Sequence, residues 1–233
     1  MSQLSYIERR AQIETYFDRT AAEAWARLTS DAPVSGIRAT VRAGRERMRA
    51  TLLSWLPEDL RGARLLDAGC GTGALAVEAA RRGAWVTAVD LSPTLIDLAR
   101  ERMPQDLGTG RIDFIDGDML ARALGRFDHV VAMDSLIHYA ADDVVRALGR
   151  LAERTSRSIV VTFAPRTPAL AAMHAVGKLF PRGDRAPGIV PVAEAGLRRL
   201  IADDALLAPW RIGRTQRIAS GFYTSQALEL QRS

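Results

Sequence analysis

Three glycines and one acidic residue crowd the turn in "LLDAGCGTGALA", residues 65–76. Gly69, Gly71 and Gly73 allow the backbone to turn tightly and to approach a ligand at the amino terminus of the following helix. Asp67 places a carboxylate beside that ligand, where it would repel a pyrophosphate and attract an ammonium group. The turn therefore predicts a nucleotide-like ligand that carries an amino group and no phosphate.

Two more carboxylates lie at the ends of later predicted strands: Asp90 ends the strand in "VTAVDLS", and Asp118 follows the strand in "FIDGDML". Asp90 can accept hydrogen bonds from two ribose hydroxyls, and Asp118 can accept one from an adenine amino group, with Met119 as an apolar edge for the ring. Ligands of open α/β sheets bind at the carboxyl ends of the strands. S-adenosylmethionine (SAM), which has an ammonium group, a ribose and an adenine but no phosphate, is the predicted cosubstrate. The predicted cofactor-binding residues are Asp67, Gly69, Cys70, Gly71, Gly73, Asp90, Leu91, Asp118, Met119 and Asp134.

Each of these features also has a simpler interpretation. Asp67, Asp90 and Asp118 could separately cap a loop, a helix and a turn. The spacing Gly69-x-Gly71 also fits the dinucleotide fingerprint of an NAD-dependent oxidoreductase, although Asp67 disfavours a pyrophosphate there. Three acids after three successive strands, beside a glycine-rich turn, favour SAM over these alternatives.

A second group of polar residues ends the run "VVAMDSLIHY", residues 130–139. The run begins as a buried strand, but Asp134, Ser135, His138 and Tyr139 follow it. A chain that only had to end a strand would use Gly, Pro, Asn or Asp. His138 and Tyr139 are therefore predicted to face the methyl acceptor, whereas the chain's two other histidines are expected to be structural or exposed.

The surrounding pattern predicts the elements that position these residues. From residue 63, short apolar runs alternate with helical windows, which is typical of a parallel sheet with helices on both faces. Two late strands, near 209–217 and 221–230, are close enough in sequence to pair antiparallel. Helices are predicted over 3–17 and over 37–56, where Pro57 ends the second. The other predicted strands are 63–69, 84–90, 111–117, 127–133 and 158–163, and the other predicted helices are 74–82, 93–103, 141–154, 167–180 and 193–204.

Composition sets wider limits. The chain has 233 residues, 48% of them hydrophobic and 25% charged, as in a soluble globular domain, and no apolar run is long enough for a transmembrane helix. One cysteine excludes a disulfide framework and a cysteine-based metal site, and a cytoplasmic location is expected. The net charge of +5 suggests an anionic partner. An arginine stripe on the 37–56 helix (Arg38, Arg42, Arg45 and Arg49) is either a solvated face or a contact for an anionic substrate or phospholipid.

The glycine turn and its three acids resemble the class I SAM-dependent methyltransferases, over about residues 45–230. That resemblance implies an α/β, Rossmann-like seven-stranded sheet with an antiparallel last strand. A narrower resemblance lies outside this shared core. Residues 16–57, together with "DSLIHY" at 134–139, are similar to the magnesium-protoporphyrin IX O-methyltransferases of the bacteriochlorophyll and chlorophyll pathway.

The resemblance implies methylation of one propionate of a magnesium porphyrin, with magnesium entering only as part of the substrate. It also implies a single methyltransferase domain over 1–233. Within it we expect an N-terminal helical arm (1–44), a SAM-binding core (45–164), a lid-like insertion after strand five (165–192), and a C-terminal helix and hairpin (193–233).

The resemblance further places a catalytic histidine at His138 and pairs it with a tyrosine on the arm, best matched by Tyr16. Tyr139, Arg38 and Met173 are the predicted substrate contacts. A propionate is already ionised near neutral pH, by analogy with a Glu pKa of about 4.3, so a general base is not obviously required. His138 could align the carboxylate, remove a residual proton or bind the magnesium axially, and alignment fits this chemistry best.

Other functions remain open at this level. One is an O-methyltransferase for another hydrophobic acceptor, such as a quinone-precursor phenol. Another is a SAM-binding regulatory partner without turnover. The expected partners are the porphyrin, the porphyrin-binding subunit of magnesium chelatase and, peripherally, the photosynthetic membrane. No nucleic acid is expected, because the sequence lacks a basic, aromatic-rich platform for stacked bases.

Overall fold

The computed structural model describes residues 6–16, 18, 36–166 and 188–233. The predicted helix at 167–180 lies outside the described residues, and so does the predicted substrate contact Met173. Among the described residues, no helix is long and apolar enough to cross a membrane.

The described elements agree closely with the predicted ones. The helices are α1 Tyr6–Thr15, α2 Gly36–Ser54, α3 Ala74–Arg81, α4 Pro93–Glu101, α5 Ala141–Ala152 and α6 Glu194–Asp203. The strands are β1 Arg64–Ala68, β2 Trp85–Asp90, β3 Arg111–Asp116, β4 Phe127–Ala132, β5 Thr155–Phe163, β6 Trp210–Ser220 and β7 Tyr223–Arg232. The boundary predicted after residue 44 falls inside α2, and the division into arm and core stays a prediction.

The seven strands form one sheet in the order β3-β2-β1-β4-β5-β7-β6. Strands β1 to β5 pair in parallel, and β7 pairs antiparallel with both β5 and β6. The predicted parallel sheet and antiparallel final pair are confirmed. The strand order reverses between β1 and β4, and such a switch point opens a crevice at the carboxyl ends of the strands.

Hydrophobic residues alternate between the two faces of the sheet, because successive side chains of a strand point to opposite sides. In β1, Leu65 packs in the cluster formed with α2 and α3, whereas Leu66 packs in the cluster formed with α5 and α6. Val131 and Val130 of β4 divide in the same way. The central strands are therefore buried on both faces, which fixes their carboxyl ends rigidly.

Local sequence signals set the helix ends near the site. Ser92 caps α4 by accepting a hydrogen bond from the backbone N–H of Leu95 at 3.3 Å, and Pro93 occupies the first turn, where its missing N–H costs nothing. The long helix α2 ends just before Pro57 and buries Met48 and Leu52 against the sheet. The Ser92 cap places the start of α4 at the carboxyl edge.

Candidate active site

The glycine turn lies between β1 and α3 and is held by the end of β2. The backbone N–H groups of Gly69 and Cys70 donate to the carbonyl of Val89 at 2.8 and 3.0 Å. The Asp90 carboxylate accepts from the backbone N–H of Gly71 at 2.8 Å and from that of Ser92 at 3.0 Å. Asp90 therefore shapes the turn as well as facing the crevice, and burial raises its pKa.

Gly69 cannot be replaced without distortion, because its φ of +81° lies in the left-handed region and a Cβ there would lie 2.4 Å from the Cβ of Ser135. The turn after β1 and the segment after β4 are thus packed together at the switch point. This contact joins the predicted SAM-binding turn to the segment that carries His138.

Asp67 ends β1 beneath this turn and is buried, with 1% of its surface exposed. Burial, reinforced by the nearby Asp90 carboxylate, raises the pKa of Asp67 to about 7. Its Oδ2 atom has no hydrogen-bond partner among the described residues. A buried acceptor without a partner is costly unless a donor reaches it, so this atom fits the ammonium group of SAM.

Asp118 follows β3, and its two carboxylate oxygens have separate partners. Oδ1 accepts from the backbone N–H of Leu120 at 2.8 Å, and Oδ2 forms an ion pair with Arg10 of α1 at 3.0 Å. Met119 is buried and Leu91 is half-buried, and both pack in the cluster that contains Ala68 and Val89. An acidic oxygen beside apolar side chains suits the edge of an adenine ring.

The amino-terminal segment lies across this same edge. Ile13 is 7% exposed and packs into the cluster with Met119. The Asp18 carboxylate accepts from the backbone N–H and the hydroxyl of Thr94, at 3.3 and 2.7 Å. Tyr16 is half-buried between these two anchor points. Arg10 and Asp18 were not predicted as site residues, since no local spacing connects them to α4 or to the loop after β3.

Asp134, predicted as a cofactor contact, lies in a network directed towards α2 and β7. Its Oδ2 forms an ion pair with Arg45 at 2.5 Å, and the hydroxyls of Tyr223 and Ser225 donate to Oδ1 at 3.2 and 3.1 Å. The backbone N–H of Asp134 donates to Thr162 at 2.7 Å. Only 7% of the Asp134 side chain is exposed, so this network is mostly sheltered from water.

The Asp134 backbone is unusual as well, since its φ of +55° is left-handed in a residue that is not glycine. Short Asp and Asn side chains tolerate that conformation better than other residues. Burial and the Asp134 carboxylate raise the pKa of Tyr223, so its hydroxyl stays protonated as a donor. Arg45 belongs to the arginine stripe. That stripe was predicted to be either a solvated face or a contact for an anionic substrate or phospholipid, and neither prediction included an ion pair within the protein.

His138 and Tyr139 follow Asp134 and are both buried, with 6% and 3% of their surfaces exposed. Tyr139 packs in the hydrophobic cluster with Leu136 and Val144. The backbone N–H of Val190, just after the undescribed part of the insertion, donates to the carbonyl of Ile137 at 2.9 Å. The segment that carries His138 is thus held by the insertion on one side and by the Asp134 network on the other.

The remaining predicted residues have varied surroundings. Arg38 is exposed on α2. Burial, together with Asp67 and Asp90, raises the pKa of the Cys70 thiol, which disfavours the nucleophilic thiolate. His129 is buried with its Nδ1 atom 2.7 Å from the Ser158 hydroxyl, and its structural role stays a prediction.

Two family models match parts of this chain that contain the residues described above. A family model described as "Magnesium-protoporphyrin IX methyltransferase C-terminus" matches residues 132–232, and one described as "Methyltransferase domain" matches residues 65–157. The first match includes the His138 segment, β7 and Asp134, but not Arg45, the ion-pair partner of Asp134. The second covers the glycine turn and the acids after β1, β2 and β3.

Individual relatives match nearly the full chain. A magnesium-protoporphyrin O-methyltransferase from Rhodobacter capsulatus is 52% identical, covering 96% of this chain and 97% of the relative. One from Synechocystis is 30% identical over 95% of each chain. The crystal structure of magnesium protoporphyrin IX methyltransferase from Synechocystis PCC 6803 with bound SAH has a TM-score of 0.83 at 30% identity, covering 96% of this chain and all of that one. The class I methyltransferase fold predicted from the sequence is confirmed.

Proposed function

The chain belongs to the magnesium-protoporphyrin IX methyltransferase family, and we propose that it transfers a methyl group from SAM to a propionate carboxylate of magnesium-protoporphyrin IX. The product would be the monomethyl ester used in bacteriochlorophyll biosynthesis. The observation that carries this proposal is 52% identity to a relative of that activity across 97% of its length. A match restricted to the common SAM-binding core would not select an acceptor.

SAM supplies an electrophilic methyl group, and the carboxyl edge supplies its contacts. We assign the ammonium group to Asp67, because the buried Oδ2 atom needs a cationic donor. The ribose is assigned to Asp90 and the adenine to the Asp118 and Met119 pair. Arg10 holds one Asp118 oxygen and leaves lone pairs on the other for the adenine amino group.

The acceptor oxygen attacks the methyl carbon as the carbon–sulfur bond breaks, and the electron pair of that bond stays on sulfur. No proton is released, because a propionate is already ionised near neutral pH. The protein therefore lowers the barrier by positioning and desolvation, which can contribute about 7–11 kcal/mol for well-oriented groups. We assign His138 to alignment of the acceptor carboxylate, and the buried, doubly held segment 134–139 supports a rigid positioning role.

Tyr16 is proposed to act with His138, because the segment that carries it is anchored across the carboxyl edge by Arg10 and Asp18. Arg38 and Met173 remain proposed substrate contacts. For Tyr139, packing in the core favours shaping the wall of the site over direct contact with the porphyrin.

The protein partner and the location of the enzyme are also proposed. The porphyrin-binding subunit of magnesium chelatase is a proposed partner, since it would deliver the substrate. A cytoplasmic enzyme that touches the photosynthetic membrane peripherally is consistent with the net charge of +5, because anionic lipid attracts basic surfaces.

The deciding experiment is titration of the protein with magnesium-protoporphyrin IX, followed through the Soret band. SAM is then added, and mass analysis identifies the product. One added methyl group, lost on mild ester hydrolysis, supports the proposal. No methyl transfer even in a single turnover would instead favour a SAM-binding regulatory partner.

Two variants test the role of His138. In His138→Ala we expect SAM affinity to be retained and kcat to fall by about 100-fold, because alignment is lost. His138→Gln keeps a hydrogen-bonding side chain that cannot accept a proton at neutral pH. Activity well above that of His138→Ala supports alignment, whereas equal losses in both variants indicate a general base. A kcat that rises steeply through neutral pH would favour the phenolic acceptor.

A further inference from the structure

A cavity of about 730 Å³ lies away from the methyl-transfer site, beside the amino ends of β4 and β5. The loop before β4 and the end of α5 line it. Four arginines contribute to its wall: Arg122, Arg126, Arg150 and Arg154. Among the described residues that line it, Glu153 is the one acid, so these residues carry a formal excess of three positive charges, four arginines less one glutamate.

Arg154 forms the fixed part of this wall. Its Nη1 atom donates to the carbonyl of Ala121 at 2.5 Å, and its Nη2 atom donates to the carbonyl of Met119. Partial burial lowers the pKa of Arg154, but an arginine remains protonated at neutral pH. Its positive charge is therefore held in place by the backbone, and Arg154 forms no ion pair with the described residues, although the nearby Asp118 carboxylate acts to raise its pKa.

The other three arginines are available to a ligand. Arg122, Arg126 and Arg150 are exposed, and none of their side chains forms an ion pair or a hydrogen bond with the described residues. Arg150 lies in the last turn of α5, where the helix dipole favours a cation, but that effect accounts for one arginine and not for the cluster. A concave surface lined by charges of one sign concentrates ions of the opposite sign.

The basic surface continues into an adjoining cavity of about 180 Å³. This second cavity shares Arg126 and Arg154 with the first and adds Arg64 and Arg232, against Asp128. The continuation makes a single isolated anion a poor match for the site. An extended ligand with two or more negative charges would contact more of the guanidinium groups.

We propose that the arginine-lined cavity binds a phosphate-bearing anion, supplied either by a free oligophosphate compound or by the headgroup of an anionic phospholipid. Guanidinium groups bind phosphate oxygens through paired hydrogen bonds, and several of them can divide the charge of one polyanion. This site does not depend on the proposed methyl transfer, because it lies at the opposite edge of the sheet from Asp67 and Asp90.

The test titrates the full-length chain with pyrophosphate in a calorimeter at low ionic strength. Arg126→Gln and Arg150→Gln are each expected to weaken binding by about tenfold, the loss for one charge-assisted hydrogen bond, and together by about 100-fold. Arg199→Gln is the matched control, since Arg199 is exposed on α6 and does not line the cavity. Thermal melting of each variant checks that it is folded.

Cosedimentation with vesicles distinguishes the two sources of phosphate. Recruitment to phosphatidylglycerol vesicles, but not to phosphatidylcholine vesicles, and its loss in the Arg126→Gln/Arg150→Gln double variant, identifies a lipid headgroup. Pyrophosphate binding without recruitment identifies a free compound. The proposal is overturned if the double variant binds pyrophosphate as the unmodified chain does, or if the unmodified chain binds neither pyrophosphate nor anionic vesicles.

Discussion

The charged side chains compared at the two edges of the sheet differ in sign and in their surroundings. At the carboxyl edge, Asp67 and Asp90 are held with raised pKa values, and the first has an oxygen without a partner in the described structure. At the amino edge, the guanidinium group of Arg111 lies over the Trp85 ring at 4.1 Å, and that of Arg232 lies over the Trp210 ring at 5.9 Å.

This difference separates buried carboxylates that require a cationic ligand from two arginines, Arg111 and Arg232, that already lie against an aromatic ring. Buried carboxylates are unfavourable until a cation arrives, whereas an exposed guanidinium on an aromatic ring keeps its water and gains a small attraction. Arg154 connects the two edges, because it lines the amino-edge cavity and donates to the carbonyls of Met119 and Ala121 in the loop after Asp118. Four substitutions test the contrast, from the largest expected effect to the smallest.

Asp90→Ala should have the largest effect on ligand binding. It removes the ribose acceptor and the hydrogen bonds that hold the backbone of Gly71 and Ser92. We expect SAM affinity to fall by at least about 100-fold in calorimetry, since two charge-assisted hydrogen bonds are lost. Asp113→Ala is the control, because Asp113 is an exposed acid of the neighbouring strand β3. Similar affinities for the two variants would show that Asp90 does not contact SAM.

Asp134→Asn should have the largest effect on stability. Asn keeps the size of the side chain and tolerates the left-handed φ of +55°, so the variant isolates the charge that pairs with Arg45. Breaking this largely buried pair should lower the free energy of unfolding by about 2–3 kcal/mol, measured by urea denaturation.

Tyr223→Phe, which removes one donor to the same carboxylate, is the matched comparison and should cost about 1 kcal/mol. The interpretation of Asp134 as an electrostatic centre fails if both variants unfold within 0.5 kcal/mol of the unmodified chain, about the range of ordinary surface substitutions.

Asp67→Asn should change the stability of the ligand-free chain and its affinity for SAM in opposite directions at pH 8. The folded chain keeps the Asp67 proton up to a pKa of about 7, whereas the unfolded chain releases it near 3.8. Between these values the unfolded state binds fewer protons, so this residue lowers stability as the pH rises from about 4 to 7. The ligand-free Asn variant should therefore be more stable than the unmodified chain at pH 8, with little difference at pH 4.

The same variant should bind SAM about tenfold more weakly at pH 8, because it cannot carry a negative charge towards the ammonium group. In the unmodified chain, SAM affinity should decrease as the pH falls below about 7, and this dependence should be absent from Asp67→Asn. The amino group of SAM titrates in both measurements and cancels in the comparison. Parallel pH profiles for the two proteins would remove Asp67 from the ammonium site.

Arg111→Gln should have the smallest effect. It removes an exposed cation–π contact, which is worth about 0.5–1 kcal/mol of stability at a solvated site. SAM affinity should be unchanged, because the substitution lies at the amino edge. A change in affinity as large as that of Asp67→Asn would contradict the separation of the two edges.

The fold followed from the sequence because its signals are local. Alternating short apolar strands and helical windows, Pro57 after α2, and Ser92 with Pro93 before α4 all act within a few residues. The acids after β1, β2 and β3 were also predictable as neighbours, since parallel strands bring their carboxyl ends to one edge. The assignment of each acid to a part of SAM stays a prediction.

The network around Asp134 was not predictable in the same way. Its members come from α2, β5, β7 and the segment after β4, and Arg45 precedes Asp134 by 89 residues. The arginine cavity combines residues 122–126 with 150–154, which are separated along the chain and give no periodic signal. Such contacts form only when distant elements pack.

The sequence alone therefore determined the kind of ligand and the sheet edge that receives it. A glycine turn and a carboxylate at a strand end have fixed local geometry, so the ligand that they bind can be predicted without knowledge of long-range contacts. The tertiary structure decided which charges are matched. Burial raises the pKa of Asp67, and packing brings Arg45 to Asp134. Four arginines lie together where a loop meets the end of a helix. These effects need the folded chain, because electrostatic free energy depends on distance and on exposure to water.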